Sequence, residues 1–272
     1  MELDWAAVWH QKREKYFWTK RLKEKGLTNE DYWDNYPDEL YFGCEYKNYP
    51  GAILEKMKRY LSPNSTVLDI GAGDGAYAVP LARVVREVTV VEPSKGQIRR
   101  LLKRAEGLEN IKIINKRWED VSPEELQEYD LVNAAYCFAM PDIKDALMKM
   151  WDCTRGVLFL ITQAGSSLAA VYPLFVSDYE PPPDYIVLYN VVYQLGIKAN
   201  VEINTRRYLY PWDLLVKTWR HDEEITPEDE DRVRAFLDAE GKLVTKDDGT
   251  LWVKCWYRDA VIYAEKEQSR LG

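Results

Sequence analysis

Apolar and polar positions along the 272-residue chain follow two rhythms that take turns through its middle. Short, mainly apolar runs, most of them rich in Val and Ile, stand at 67–70, 87–92, 111–114, 129–137 and 156–162. Runs of that length and composition predict strands buried on both faces. Between them apolar residues recur at helical spacing: at Ala78, Val79, Ala82 and Val85, then over 95–105 behind the N-cap Ser94, then over 141–151. Strand and helix in turn predict βαβ units around a mostly parallel sheet. A capping box at Ser122-Pro123-Glu124-Glu125 predicts one further helix start.

The flanks read differently. Leu3, Ala6, Ala7, Trp9, Tyr16, Phe17 and Leu22 predict one amphipathic helix over 3–24, ended by Gly26. A second helix is predicted over 28–36, stopped before Pro37, and a third over 52–61. After the fifth strand the alternation breaks. Residues 163–183, with Gly165, Pro173 and Pro181-Pro182-Pro183, read as irregular and lid-like. A helix follows over 184–195, with Gly196 as its stop, then an alternating strand over 201–208 and helices over 212–220 and 226–237. Asp248-Gly249 marks a hairpin turn ahead of strands at 250–257 and 260–264.

Composition narrows the picture. An apolar content of 46% suits one large core, and no apolar run reaches the length of a membrane-spanning helix. Met1-Glu2-Leu3-Asp4-Trp5 has no apolar leader character. Cys44, Cys137, Cys153 and Cys255 are scattered, as expected of reduced thiols in a cytoplasmic protein. A net charge of −8 argues against a broad nucleic-acid footprint. The only histidines, His10 and His221, read as surface or cap residues, and no metal-ligand spacing is present. The 10 Trp and 19 Tyr concentrate in 1–50 and 172–263. They form either an aromatic-lined cover over the central domain or the packing of these additions onto it.

Candidate chemistry centres on the turn after the first strand. Gly71, Gly73 and Gly75 alternate there, with Asp69 two residues ahead. Glycines at that place permit tight turning and let a ligand lie against bare backbone. Gly71-x-Gly73-x-x-Ala76 also fits the dinucleotide fingerprint, so NAD or FAD stays open on that pattern alone. Glu92, at the end of the second strand, is placed to accept from ribose hydroxyls.

The stretch 67–75, acid-x-Gly-x-Gly-x-Gly, resembles motif I of the class I S-adenosylmethionine (SAM)-dependent methyltransferases. The resemblance covers roughly 48–162 and is completed by the last strands. It implies a doubly wound, mostly parallel seven-stranded α/β sheet with an antiparallel last pair, assigned to 201–208 and 260–264. N-terminal helices form a cap over 1–47 on a SAM-binding domain over 48–272, with a lid-like insertion at about 163–200 and a helical insertion at about 211–248. It also implies a cofactor site of Asp69, Gly71, Ala72, Gly73, Gly75, Glu92, Pro93, Asn133, Trp118, Glu119 and Tyr49. In that site the Trp118-Glu119-Asp120 loop meets the adenine. Tyr32 to Tyr36, with Tyr49, resemble the aromatic helices that close over SAM. Tyr136, at the end of the fourth strand, faces either the acceptor or the core. That strand end lacks the Pro-Pro used by many enzymes that methylate base amino groups. Arg206 and Arg207 alternate, so at most one faces a pocket, where it could hold a carboxylate or phosphate. The expected activity is in-line transfer of the SAM methyl to a small molecule in an aromatic-lined pocket. The alternatives are a protein or RNA methyltransferase, and a non-catalytic SAM- or dinucleotide-binding module.

Overall fold

The computed structural model describes residues 3–41 and 47–266, so Cys44 lies outside the described residues. The apolar runs form the strands β1 (Thr66–Ile70), β2 (Glu87–Val91), β3 (Ile111–Ile114), β4 (Tyr129–Ala135) and β5 (Thr154–Ser166). Further along come β6 (Asn200–Pro211), β7 (Leu243–Thr245) and β8 (Leu251–Glu265). They make one sheet in the order β3-β2-β1-β4-β5-β8-β6, with β7 paired to β8 as an eighth strand. The pairs among β1 to β5 are parallel, and β8 runs antiparallel to both β5 and β6. The sheet is the expected one with β7 added.

Two helical layers cover it. On one face α1 (Trp5–Lys15), α7 (Ile143–Asp152) and α8 (Tyr185–Gln194) bury Trp9, Leu147, Met150, Leu188 and Val191 against Leu68, Val132 and Leu158. On the other, α4 (Ala52–Lys58), α5 (Ala78–Ala82) and α6 (Lys95–Arg104) bury Met57, Leu81 and Leu101 against Val67, Val90 and Phe159. Of the stretch expected to be lid-like, α8 is thus a core helix: its Leu188 and Val191 are fully buried. A third apolar cluster stands on the upper halves of β6 and β8. There α9 (Trp212–Glu223) and α10 (Pro227–Ala239) pack Trp219, Val233 and Leu237 with Val171 and Val253.

Three local expectations give way to tertiary contacts. The helix read over 3–24 breaks at Tyr16, whose ψ is 125°, into α1 and α2 (Phe17–Glu24). The Phe17 amide donates instead to the carbonyl of Glu180 at 3.1 Å, and its ring packs on Tyr172 and Tyr179. The Ser122 capping box forms, but it starts only a 3-10 turn over Pro123–Glu125, because the chain must enter β4 at Tyr129. The strands read at 250–257 and 260–264 are one continuous strand, β8. The polar Arg258-Asp259 between them lies opposite a bulge at Gln163 and Gly165 in β5.

Candidate active site

The carboxyl ends of the parallel strands, where an open α/β sheet binds its ligands, carry most of the expected residues. After β1 the chain turns through Gly71, Gly73 and Gly75, at φ +63°, +56° and +82°. Two of these glycines serve packing. A Cβ on Gly71 would lie 2.4 Å from Cys137 Cβ, and one on Gly75 would lie 2.7 Å from Val79. Gly73 differs, since a Cβ there would meet nothing within 4 Å. Its backbone faces open space, a cradle that a side chain would fill.

Glu92 closes one side of that cradle. It is buried, and its Oε2 accepts from the Gly73 amide at 2.8 Å while Oε1 accepts from the Ser94 amide at 2.9 Å. Burial pushes its pKa up; those two hydrogen bonds oppose the shift, and Asp34 and Glu30 add to it. Asn115 donates to the carbonyls of Glu92 and Pro93 at 2.9 and 2.7 Å, which fixes this strand end. Asp69 lies beside Asn133 in the register of β1 and β4, and accepts from Asn133 Nδ2 at 2.7 Å. Burial pushes the Asp69 carboxyl up to about 7; the Asn133 bond opposes this, and the Glu92 and Asp74 carboxylates reinforce it. The buried Asn133 Oδ1 finds no donor among the described residues. Ala72 is buried between these groups and the core. Bare backbone flanked by two buried acids suits a ligand that carries positive charge. A pyrophosphate would need the Gly73 amide that Glu92 already occupies.

Trp118 is placed elsewhere. Its indole is buried under α7, donates to the Ala146 carbonyl at 3.1 Å, and has Lys149 4.3 Å from its ring centre. Glu119 and Asp120 beside it are exposed. Tyr49 joins a row of rings leading away from the glycine turn: Tyr77 to Tyr49 at 5.3 Å, Tyr49 to Tyr136 at 6.0 Å, and Tyr136 to Tyr257 at 6.0 Å. Tyr136 has φ +58°, rare for a residue with a side chain. Its hydroxyl donates to Asp259.

Asp259, fully buried on β8, was not among the residues singled out from sequence. It accepts from Arg206 Nε and Nη2 at 2.7 and 2.8 Å and from Asn204 at 3.1 Å. The Arg206 guanidinium also lies 4.8 Å from the Tyr49 ring centre and 4.9 Å from that of Tyr257, and donates to the Lys47 carbonyl at 3.0 Å. Burial pulls the Arg206 pKa down, and the Asp259 carboxylate more than offsets this, so the net shift is upward. Of the alternating pair, then, Arg206 is the inward residue and Arg207 is exposed. Arg206 is committed to an internal carboxylate. The one available signal was an acid inside an apolar strand that could pair with an arginine on its neighbour. A separate cavity of about 410 Å³ lies between α4 and β6, is lined in part by Lys56, Tyr60 and Glu202, and shares Asn204 with this cluster.

Comparison with known proteins agrees with this geometry. Residues 67–156 match the family described as a methyltransferase domain. An uncharacterized protein of Haemophilus influenzae is 28% identical over 199 residues, which cover 70% of this chain and 73% of that protein. The YcgJ protein of Bacillus subtilis superposes with a TM-score of 0.56 at 15% identity, covering 80% of this chain and 98% of its own. A Bacillus halodurans protein assigned as a methyltransferase gives 0.57 at 15% identity, covering 80% of this chain and 100% of its own. At such identities the two structures speak for the fold, and the matched family speaks for the chemistry. With the glycine turn and the strand order in place, residues 67–156 are a methyltransferase domain, set in a sheet that has the methyltransferase fold.

Proposed function

We propose that this enzyme transfers the SAM methyl group to a small-molecule acceptor at the carboxyl edge of the sheet. The cofactor side would be the 71–75 turn with Asp69, Glu92 and Asn133, and the acceptor side the row of tyrosines, in which Tyr136 is exposed. The observation that carries this reading is the uncovered Gly73 backbone bracketed by buried acids, with the row beginning at Tyr77 directly behind the turn. When bound, SAM supplies a methyl group activated by its sulfonium charge.

The chain's own residues have complementary work. Glu92, pinned by two amides, keeps carboxylate lone pairs for ribose hydroxyls. Asn133 Oδ1 offers a buried acceptor to an ammonium or other N–H donor. Tyrosine faces exclude water and favour a cation beside them. Tyr136 is half-exposed, with its hydroxyl proton directed at Asp259, so its oxygen can accept from an acceptor's O–H or N–H. Such a crowded aromatic lining fits a compact acceptor better than a polymer, and the net charge of −8 disfavours a polyanion.

The test is calorimetric titration with SAM, S-adenosylhomocysteine (SAH) and NAD in parallel, followed by a metabolite screen for the acceptor. Binding of both adenosyl ligands without NAD is expected. NAD binding in their place would overturn the cofactor assignment, and turnover on a protein or RNA rather than a metabolite would overturn the acceptor class.

A further inference from the structure

The N-terminal segment is tied to the cofactor side by a continuous run of hydrogen bonds. Asp34 ends the short helix α3 (Asn29–Asp34) and reaches the start of α6. Its Oδ1 accepts from the Ser94 hydroxyl at 2.7 Å and from the Gly96 amide at 2.9 Å. Ser94 in turn donates its amide to Glu92 Oε1, and Glu92 Oε2 holds the Gly73 amide. Four residues from three separate parts of the chain thus connect α3 to the bare backbone of the glycine turn.

The approach is close enough to need a glycine. A Cβ on Gly96 would lie 2.7 Å from the Trp33 carbonyl oxygen and 2.9 Å from Asp34 Cα, both backbone atoms that cannot swing aside. Gly96 is helical and not at positive φ, so it answers to the passing strand of α3 rather than to its own conformation. Arg100, one turn further along α6, fastens the same segment by donating to Asp38 at 2.9 Å and to the Tyr36 carbonyl at 2.7 Å.

We infer that Asp34 is a positioning residue of the cofactor site, which sets the orientation of the Glu92 carboxylate through Ser94. The inference rests on the cofactor reading proposed above, since Glu92 is assigned there to the ribose hydroxyls. Glu92 has two carboxylate oxygens and two fixed amide donors, so its plane is determined by where Ser94 and Gly73 sit. Gly73 is fixed by the turn. Ser94 begins a helix, where chain ends fray, and the Asp34 bond to its hydroxyl holds it down.

SAH titration of the full-length chain tests this. Asp34→Ala removes both of its hydrogen bonds to the start of α6 and should weaken SAH binding about tenfold. Asp34→Asn keeps an acceptor oxygen and should restore most of the affinity. Gly96→Ala should mimic Asp34→Ala, because it displaces α3 while leaving α6 a better helix former. In a Glu92→Gln background, Asp34→Ala should cost little more, whereas a purely structural role would add its full effect. Unchanged SAH affinity in both Asp34→Ala and Gly96→Ala, or full additivity with Glu92→Gln, would overturn the inference while leaving the cofactor assignment standing. Failure of the wild-type protein to bind SAH would overturn both.

Discussion

The carboxyl edge holds two halves built on opposite principles. Over β1 and β2 backbone amides hold the carboxylate at the turn: Gly73 and Ser94 grip Glu92, and only Asp69 is held by a side chain, that of Asn133. Over β8 and β6 side chains grip one another: Tyr136, Asn204 and Arg206 converge on Asp259. The first half keeps open backbone and, beneath it, a buried acceptor with no donor among the described residues. In the second, the charges are consumed internally, and rings and one hydroxyl are presented. The first is suited to hold a charged cofactor, and the second to shape a wall.

That contrast can be broken most severely at Asp259. Asp259→Ala strands the buried Arg206 charge and should cost about 3–5 kcal/mol in urea unfolding. SAH affinity measured at a temperature where the variant remains folded should change little. A large loss of affinity there would mean the halves are not separate.

The glycines sharpen the comparison within the first half. Gly71→Ala drives a methyl into Cys137 and should cost about 2–3 kcal/mol of stability. Gly73→Ala meets no atom, so it should cost about 1 kcal/mol for its φ alone while cutting SAH affinity tenfold or more. Equal melting losses with equal affinities would erase the distinction between packing and cradle glycines.

Asp69 gives the first half a pH signature. Its pKa is about 7 in the fold against an ordinary 3.8, so the folded state holds the extra proton between those values. This contribution to stability is complete below pH 3.8 and is lost as the pH climbs toward 7. Asp69→Asn cannot ionise. Ligand-free melts should show it more stable than wild type at pH 8, by up to about 4 kcal/mol, with the gap closing by about pH 4. The smallest effect is expected from Tyr136→Phe, which removes one hydroxyl from Asp259. About 1 kcal/mol of stability should go, with SAH affinity within about twofold of wild type.

These halves were unequally legible in the sequence. The strand–glycine–helix unit announces itself, because a turn that needs positive φ leaves glycines at fixed intervals and buried parallel strands leave apolar runs. Glu92 follows from its place at a strand end. The tyrosine wall leaves a fainter trace: Tyr49, Tyr136 and Arg206 stand out singly, but Tyr77 at the start of α5 and Asp259 on β8 join them only through the tertiary fold. Asp259 even misled, since Arg258-Asp259 reads as a break between two strands when its partner on β6 is not in view. Trp118 shows the limit of loop resemblance. The aromatic is present in the expected loop, yet its indole finds a backbone acceptor in α7 and turns inward. The break at Tyr16 was similarly invisible, being set by a carbonyl more than 160 residues away.

The place of β8 in the sheet also orders events as the chain is made. Among the described residues β6 pairs with β8 alone, which lies between it and β5. When residues 200–211 leave the ribosome, the strand they must join has not yet been synthesised. Until residues 251–265 emerge and slot in, β6 has no strand to pair with and Arg206 has no Asp259 to meet. The acceptor wall is therefore the last part of the molecule that can form, while the cofactor cradle, closed by β1, β2 and β4, can be complete long before.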